Sequence, residues 1–352
     1  MTIKTKTMKP GFCCFGITDK CMLRCKMCYK WKDDIYVQNP DDTPSIKQWN
    51  QCVSDLAEMV EFPFELDIGG GEALMFDGVL DIVRYSVDRG FNTSIASNGY
   101  LIDEQLAKEI ADSGLRAISL SLDSLEEETH DYLRGVKGVY RKVMDAIGYL
   151  HKHCKGIFIN LCCVFYQINQ EEILELVEWA NQDERIGTIN FMAAMQPNNT
   201  VPEDNWWQGQ YGFIWPKNPE RTAVIIQEII DLKRRGYKIG NPISQLMAFQ
   251  AYYRDPNKFV KRKQCNLGRC VLVSSIGDIY LCYEFQKLGN IKKDRLIDVW
   301  YSEKADRVRD EIARCTKNCH HLINCFDEFE GDFSEESRFN SDRCVSGYSE
   351  GR

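Results

Sequence analysis

Six short apolar runs of strand length alternate with stretches of helical periodicity between residues 12 and 192, and that alternation leaves few folds open. Residues 12–18, 64–68, 93–96, 117–122, 157–164 and 188–192 read as strands. Between them, apolar residues recur at three- and four-residue spacing. Ser45 caps a helix that carries Ile46, Trp49, Val53, Leu56 and Val60 on one face. Residues 76–89 form the next helix, with Gly90 as its stop. Asp103 opens a helix with Leu106 and Ile110 that ends near Gly114, and Val139, Val143, Ile147 and Leu150 mark another face. Asn169 and Glu172 have the spacing of a capping box before Ile173, Leu176, Val177 and Ala180. Six strand–helix units predict an α/β fold with parallel strands, closer to an open (β/α)6 partial barrel than to a closed eightfold one. Chemistry in such barrels sits at the carboxyl ends of the strands.

The remainder reads differently. Residues 1–10 are a basic tail with Lys4, Lys6 and Lys9, and 11–195 are the barrel. Residues 196–262 form a connector: a loop with Trp206, Trp207, Tyr211, Phe213 and Trp215, then helices near 220–235 and 244–253. Ordinary packing is the expectation for these aromatics, and a lid over the barrel the alternative. Residues 263–345 are cysteine-dense and are expected to be a second, metal-stapled domain; 346–352 are a tail.

Sixteen of 352 residues are cysteine, and the net charge is −8. No secretory signal and no run of membrane-spanning length is visible, so reduced thiols and a cytoplasmic location are expected. The acidic balance argues against nucleic acid as a partner.

Cys21, Cys25 and Cys28 follow the first strand as C-x3-C-x2-C. Three thiolates on one loop suit three irons of a [4Fe–4S] cubane, leaving the fourth iron for a ligand with an amine and a carboxylate. Structural zinc would need a fourth ligand nearby. Cys13 and Cys14 lie within the strand and read as buried small residues, as do Cys52 and Cys154.

The triad followed by the aromatic Tyr29, just after the first strand of a partial barrel, resembles the signature of radical S-adenosylmethionine (SAM) enzymes. Further motifs recur in order. Gly69, Gly70, Gly71 and Glu72 follow the second strand; the resemblance implies that this turn binds the amino group of SAM. Ser97-Asn98-Gly99 ends the third strand, and Asn98 would line the same pocket. Ser121 and Asp123 end the fourth. His130-Asp131 and Arg134-Gly135 are similar to the family's H-D-x-x-R-G segment. Ser121 would meet the SAM carboxylate or ribose, and either Arg134 or Arg141 would neutralise that carboxylate. His130 is expected to be structural. Residues 191–194 end strand six, where the family's backbone meets adenine. The implied reaction is one-electron cleavage of SAM, giving a 5′-deoxyadenosyl radical that abstracts a hydrogen atom from a substrate. A flavodoxin- or ferredoxin-type donor would supply the electron.

The C-terminal cysteines resemble the SPASM extension of such enzymes, with one or two auxiliary [4Fe–4S] clusters. Cys265, Cys270 and Cys282 would hold the inner cluster; Cys315, Cys319, Cys325 and Cys344 the outer one. Two departures matter. Cys315-x3-Cys319 replaces the usual C-x2-C, and Phe329 stands where another cysteine is usual. The inner cluster therefore takes a substitute ligand from Asp327, Glu328 or Glu330, or keeps an open site, or only one cluster is present. A zinc module of Cys315, Cys319, His320 or His321 and Cys325 is the plain alternative.

One of Cys162 and Cys163 must face the barrel interior, because strand residues alternate. A thiol there is a candidate hydrogen-atom donor to a substrate radical. Three functions are in view: modification of a ribosomal peptide by crosslinking, oxidation or epimerisation; dehydrogenation or epimerisation of a sugar or alcohol; and a non-catalytic iron–sulfur or zinc scaffold. With 20 residues before Cys21, no fused peptide-recognition domain is expected there, and recognition would fall to a separate protein.

Overall fold

The computed structural model describes residues 8–29, 42–197, 200–201, 203, 205–258, 265–315 and 323–324. Six units of strand and helix come first. Strand β1 (Phe12–Thr18) leads to α1 (Ile46–Met59), β2 (Glu65–Gly70) to α2 (Val79–Asp88), and β3 (Asn92–Ser97) to α3 (Glu104–Ser113). Strand β4 (Ala117–Ser121) is followed by two helices, α4 (Glu127–Arg134) and α5 (Val139–His153). Then come β5 (Phe158–Phe165), α6 (Ile173–Gln182) and β6 (Thr188–Ala193). The connector supplies α7 (Pro219–Arg234) and α8 (Ile243–Arg254). The C-terminal part adds β7 (Cys270–Val273), β8 (Asp278–Tyr280), β9 (Gly289–Asn290), α9 (Leu296–Trp300) and α10 (Glu303–Ala313). Among the described residues no helix is long and apolar enough to cross a membrane.

All nine strands among the described residues form one sheet, in the order β6-β5-β4-β3-β2-β1-β7-β8-β9. Strands β1 to β6 run parallel, as the alternation predicts. Among the described residues the C-terminal region forms no separate sheet. Its first strand pairs with β1 in parallel, Phe12 opposite Cys270 and Phe15 opposite Val273, and only then turns back as the β7–β8 hairpin. This covers what would otherwise be the open edge of β1, whose unpaired N–H and C=O groups need partners.

Period-two alternation sorts the side chains. In β5, Ile159, Leu161, Cys163 and Phe165 are buried, while Asn160 and Cys162 face the lumen with greater exposure. Cys162, not Cys163, is therefore the lumen thiol. The sheet's outer face packs on Trp49, Val53 and Leu56 of α1 and on Val143, Ile147 and Leu150 of α5.

Ser45 and Gln48 form the capping box that opens α1, Asp103 caps α3, and Gly114 closes it with a positive φ of 78°. The capping box expected at Asn169 and Glu172 is absent. Asn169 instead turns inward, accepting from Tyr166 N and donating to the carbonyls of Asp123 and Val164. Glu172 accepts from the hydroxyls of Ser124 and Thr129. Both side chains serve the β4–α4 turn, a tertiary demand stronger than capping.

The outer edge of β6 is closed by an unusual series of partners. Ile189 exchanges backbone hydrogen bonds with Lys238 and Gly240. The side-chain amide of Asn241 brackets Phe191, donating to its carbonyl at 2.8 Å and accepting its N–H at 2.6 Å. The hydroxyls of Tyr252 and Tyr253 meet Ala194. In the connector, Trp206, Tyr211 and Trp215 are buried, and Trp215 packs against Tyr252 and Tyr253 with centroids 5.2 and 5.0 Å apart. These aromatics are core, and one of them, Tyr211, reaches Tyr29 at 5.8 Å.

Candidate active site

The loop bearing Cys21, Cys25 and Cys28 leaves β1 and is stitched to two neighbours by its backbone. On one side, Gly71 N donates to Thr18 O at 2.6 Å and Glu72 N to Lys20 O at 2.8 Å. A Cβ on Gly71 would stand inside van der Waals contact with the carbonyls of Asp19 and Lys20, so this approach demands glycine. On the other side, Arg24 N donates to Arg134 O at 3.0 Å and Lys26 N to Leu133 O at 2.9 Å, at the end of α4. Gly135 follows with φ 72°, and a Cβ there would collide with Arg24 O. The Arg24 guanidinium turns back to accept the loop's own geometry, donating to the carbonyls of Leu23, Met22 and Cys21 at 2.9 to 3.3 Å.

Glu72 lies beside the loop, buried, with its carboxylate taking three donors. Ser97 Oγ reaches Oε1 at 2.8 Å, Leu74 N reaches it at 3.2 Å, and Asn98 N reaches Oε2 at 2.7 Å. Burial pushes this carboxyl upward, and the three hydrogen bonds oppose the shift. Asn98 turns its amide nitrogen to Met22 Sδ at 3.4 Å and to Cys21 Sγ at 3.7 Å. The end of β3 thus touches both the glutamate and the cysteine loop.

A second buried group lies under Cys25. Asp123 accepts from Val164 N at 3.0 Å, and its Oδ2 stands 2.8 Å from Arg134 Nη2. His130 Nδ1 accepts from Asp123 N at 3.1 Å, which puts the ring proton on Nε2. Burial holds His130 well below the usual histidine range, so it is a neutral structural residue here. Arg134 Nε and His130 Nε2 are buried without a hydrogen-bond partner among the described residues.

The thiols respond to this setting. Burial pushes Cys25 up to about 11, with Arg134 opposing, and raises Cys21, to which the Glu72 charge adds. The donor set fits a [4Fe–4S] cubane: three sulfurs on one braced loop, a guanidinium to offset thiolate charge, and a carboxylate beside it. Among the described residues no three Cys, His, Asp or Glu side chains close on the point a single metal ion would occupy. Cubane cysteines bind separate irons and stand wider apart.

The structure gathers Cys21, Cys25, Cys28, Tyr29, Gly70, Gly71, Glu72, Asn98, Asp123 and Arg134 at the carboxyl ends of β1 to β4. Gly69 and Ser121 lie on the lumen face just below, Ser121 opposite Cys162. Arg141 is elsewhere: it is exposed on α5 and pairs with Glu127 at 3.0 Å. Of the C-terminal cysteines, Cys270 and Cys282 are buried. Cys270 opens β7 and Cys282 lies two residues past β8, whose Tyr280 pairs with Leu272. Cys265 opens the turn just before β7, and Cys315 follows α10. Cys319, Cys325 and Cys344, with His320, His321, Asp327, Glu328, Phe329 and Glu330, lie outside the described residues. Sequence reasoning did not find Arg24 or Asn324, because an arginine and an asparagine in a loop carry no periodic signal.

Residues 15–180 match the model of the radical SAM superfamily, and residues 265–325 that of an iron–sulfur cluster-binding domain, SPASM. The chain belongs to the radical SAM superfamily. It is a radical SAM enzyme with a C-terminal SPASM domain, and its cofactors are SAM, a [4Fe–4S] cluster and auxiliary iron–sulfur centres. It is 27% identical over 314 residues to an AdoMet-dependent heme synthase of Methanosarcina barkeri, covering 86% of this chain and 85% of that one. It is 22% identical to the PqqA peptide cyclase of Rhizobium meliloti, over 82% of this chain and 73% of that one. Among solved structures, Streptococcus suis SuiB bound to precursor peptide SuiA shares the fold, with a TM-score of 0.64 and 17% identity over 90% of this chain and 71% of that one.

Proposed function

We propose that this radical SAM enzyme modifies a ribosomal peptide, one side chain at a time, in the lumen beneath a cluster held by Cys21, Cys25 and Cys28. The cluster and SAM, when bound, supply a 5′-deoxyadenosyl radical able to abstract a hydrogen atom from carbon. The chain's own part is to bind, orient and exclude water. Glu72, already fixed by Ser97, Leu74 and Asn98, offers its charge to the SAM ammonium; the carbonyls of the Gly69–Gly71 turn add acceptors. Arg134, held by Asp123 and with Nε unpaired, is the cation for the SAM carboxylate, and Arg141 is too distant on the surface to compete. Ser121 and Asn98 line the space between. Tyr29, against Tyr211, closes the pocket toward the connector.

The observation that carries the reading is the stitching of the cysteine loop between the glycine turn and the end of α4. It brings the thiols, Glu72 and Arg134 to one strand end. Two things support a peptide: the peptide cyclase relative, matched across most of both chains, and the size of the lumen. The lumen cavity is about 230 Å³. That lies below the roughly 300–1,000 Å³ of pockets that enclose drug-sized ligands. It suits one side chain. Cys265, Cys270 and Cys282, and Cys315 with Cys319, Cys325 and Cys344, are the proposed auxiliary ligands. A flavodoxin- or ferredoxin-type protein is the proposed electron donor.

The test is anaerobic turnover with SAM and a low-potential reductant. Short peptides encoded beside the gene should stimulate 5′-deoxyadenosine release and change mass. Stimulation by sugars or alcohols and none by peptides would replace this reading with the small-molecule dehydrogenase or epimerase.

A further inference from the structure

The barrel lumen below the cluster loop is lined by a mix of apolar and polar side chains, and the polar ones include one acid. Cys14, Asp67 and Ser94 lie side by side across β1, β2 and β3, in registers Cys14 opposite Asp67 and Asp67 opposite Ser94. Around the arc, Asn190 Nδ2 donates to Asn160 Oδ1 at 2.6 Å, and Asn160 Nδ2 donates to Ser119 Oγ at 2.9 Å. This chain of side chains uses one N–H of each amide, Asn190 to Asn160 and Asn160 to Ser119. Gly240 makes room for it, since a Cβ there would collide with the Asn190 amide. Phe158 and Thr188 form the floor, at the first residues of β5 and β6.

Among the described residues that line the cavity, Asp67 is the one carboxyl, and none is Lys, Arg or His. Its Oδ1 accepts from Ser94 Oγ, and no other donor among the described residues meets either oxygen. Burial raises this carboxyl above its ordinary value. Asp67 faces the cavity with one hydroxyl partner, and a cation is the group that pairs best with a carboxylate there.

We infer that the lumen binds a protonated amine or guanidinium on a short stem, with Asp67 as its counter-ion and Ser94 orienting that carboxylate. This rests on the proposed function above and names its substrate class: the side chain presented there is cationic, lysine- or arginine-like, rather than acidic or a neutral polyol. The cavity shares only Gly69 with the proposed SAM turn, so the two ligands lie one above the other.

The experiment is binding to anaerobically reconstituted full-length protein, by calorimetry and thermal shift. The probes are N-acetyl-lysine N-methylamide for a peptide-borne cation, agmatine for a free one, and N-acetyl-norleucine N-methylamide and glucose as neutral controls. Expected are saturable binding of the lysine amide to the wild type, at least about tenfold weaker binding to Asp67→Asn, and no binding of the neutral probes. Agmatine binding as tightly as the lysine amide would assign a free amine as the source and keep the counter-ion role. Ser119→Leu, which fills the lumen and keeps Asp67, should also abolish binding; this variant guards against a folding defect in Asp67→Asn. Unchanged cation binding in both variants, or equal binding of glucose, would overturn the inference. Release of 5′-deoxyadenosine by the wild type, followed in the same preparations, separates the two readings. Cation binding without it would remove the radical reading and leave the lumen assignment. Its release without cation binding would do the reverse.

Discussion

Asn324 closes on both backbone groups of Ala193: its Oδ1 accepts the N–H at 2.7 Å and its Nδ2 donates to the C=O at 2.9 Å. Two residues earlier, Asn241 does the same to Phe191. Beyond the backbone pairing at Ile189, the edge strand is thus completed by side-chain amides. Gln245 Nε2 adds a bond to Ile323 O at 3.0 Å. The C-terminal part therefore holds the sheet at both ends, by β7 against β1 and by Asn324 against β6.

Removing the Asn324 amide should be felt as lost stability. Asn324→Ala is expected to cost about 1–3 kcal/mol, since two hydrogen bonds go and Ala193, almost fully buried, keeps two unmet groups. Denaturant unfolding of the variant measures it, and hydrogen exchange should quicken at Ala193. A midpoint equal to wild type would mean that water replaces the amide freely.

The close approach at Gly71 makes a second expectation. Gly71→Ala must push the carbonyls of Asp19 and Lys20 away, and with them the loop that leads to Cys21. Iron and sulfide per chain after anaerobic reconstitution should fall by about four irons, the same loss as in a Cys21/Cys25/Cys28→Ala variant. The auxiliary centres should keep their iron. Full loading of Gly71→Ala would show that the loop adapts.

Arg134 and Arg141 should separate cleanly. Arg134→Gln leaves Asp123 as a buried, unpaired carboxylate, expected to cost about 3–5 kcal/mol. Arg134→Gln combined with Asp123→Asn should recover much of that. Arg141→Ala breaks an exposed ion pair and should stay within about 0.5 kcal/mol. SAM affinity should fall in Arg134→Lys and hold in Arg141→Ala. The opposite pattern would return the carboxylate to Arg141.

Cys25 should leave a mark on alkaline stability of the metal-free, reduced protein. Its thiol is raised from 9.0 to about 11, so between those pH values the folded chain holds a proton that the unfolded chain has lost. That stabilisation is complete below pH 9 and is lost as pH rises through 11, about 2–3 kcal/mol in all. Cys25→Ser should flatten the slope in that window. An unchanged slope would assign it to other buried thiols, such as Cys52. The same protonation means that loading iron releases protons, so reconstitution should improve as pH rises from neutral.

Much of this protein was legible in one dimension because its signals are local. Strand and helix periods placed the six strand–helix units, and Ser45, Asp103 and Gly114 marked helix ends through bonds within a few residues. The cysteine triad announced its chemistry by residue type and spacing, and the glycine–glutamate turn by its place in the family's motif order. What misled was equally local in appearance: Asn169 and Glu172 have the spacing of a cap, and the sheet used them for the β4–α4 turn instead.

The sequence by itself determined the parallel barrel and the thiol loop at its mouth, through periodicity and cysteine spacing, and its resemblance to radical SAM enzymes carried the class of reaction. Only the tertiary structure decided that Arg134 is buried against Asp123 while Arg141 is exposed, that Cys162 and not Cys163 faces the lumen, that β7 extends the barrel sheet, and that Asp67 stands with one hydroxyl partner in a cavity lined by no cation among the described residues. These depend on which distant segments meet, and burial, charge pairing and edge completion are properties of that meeting rather than of any single stretch of chain.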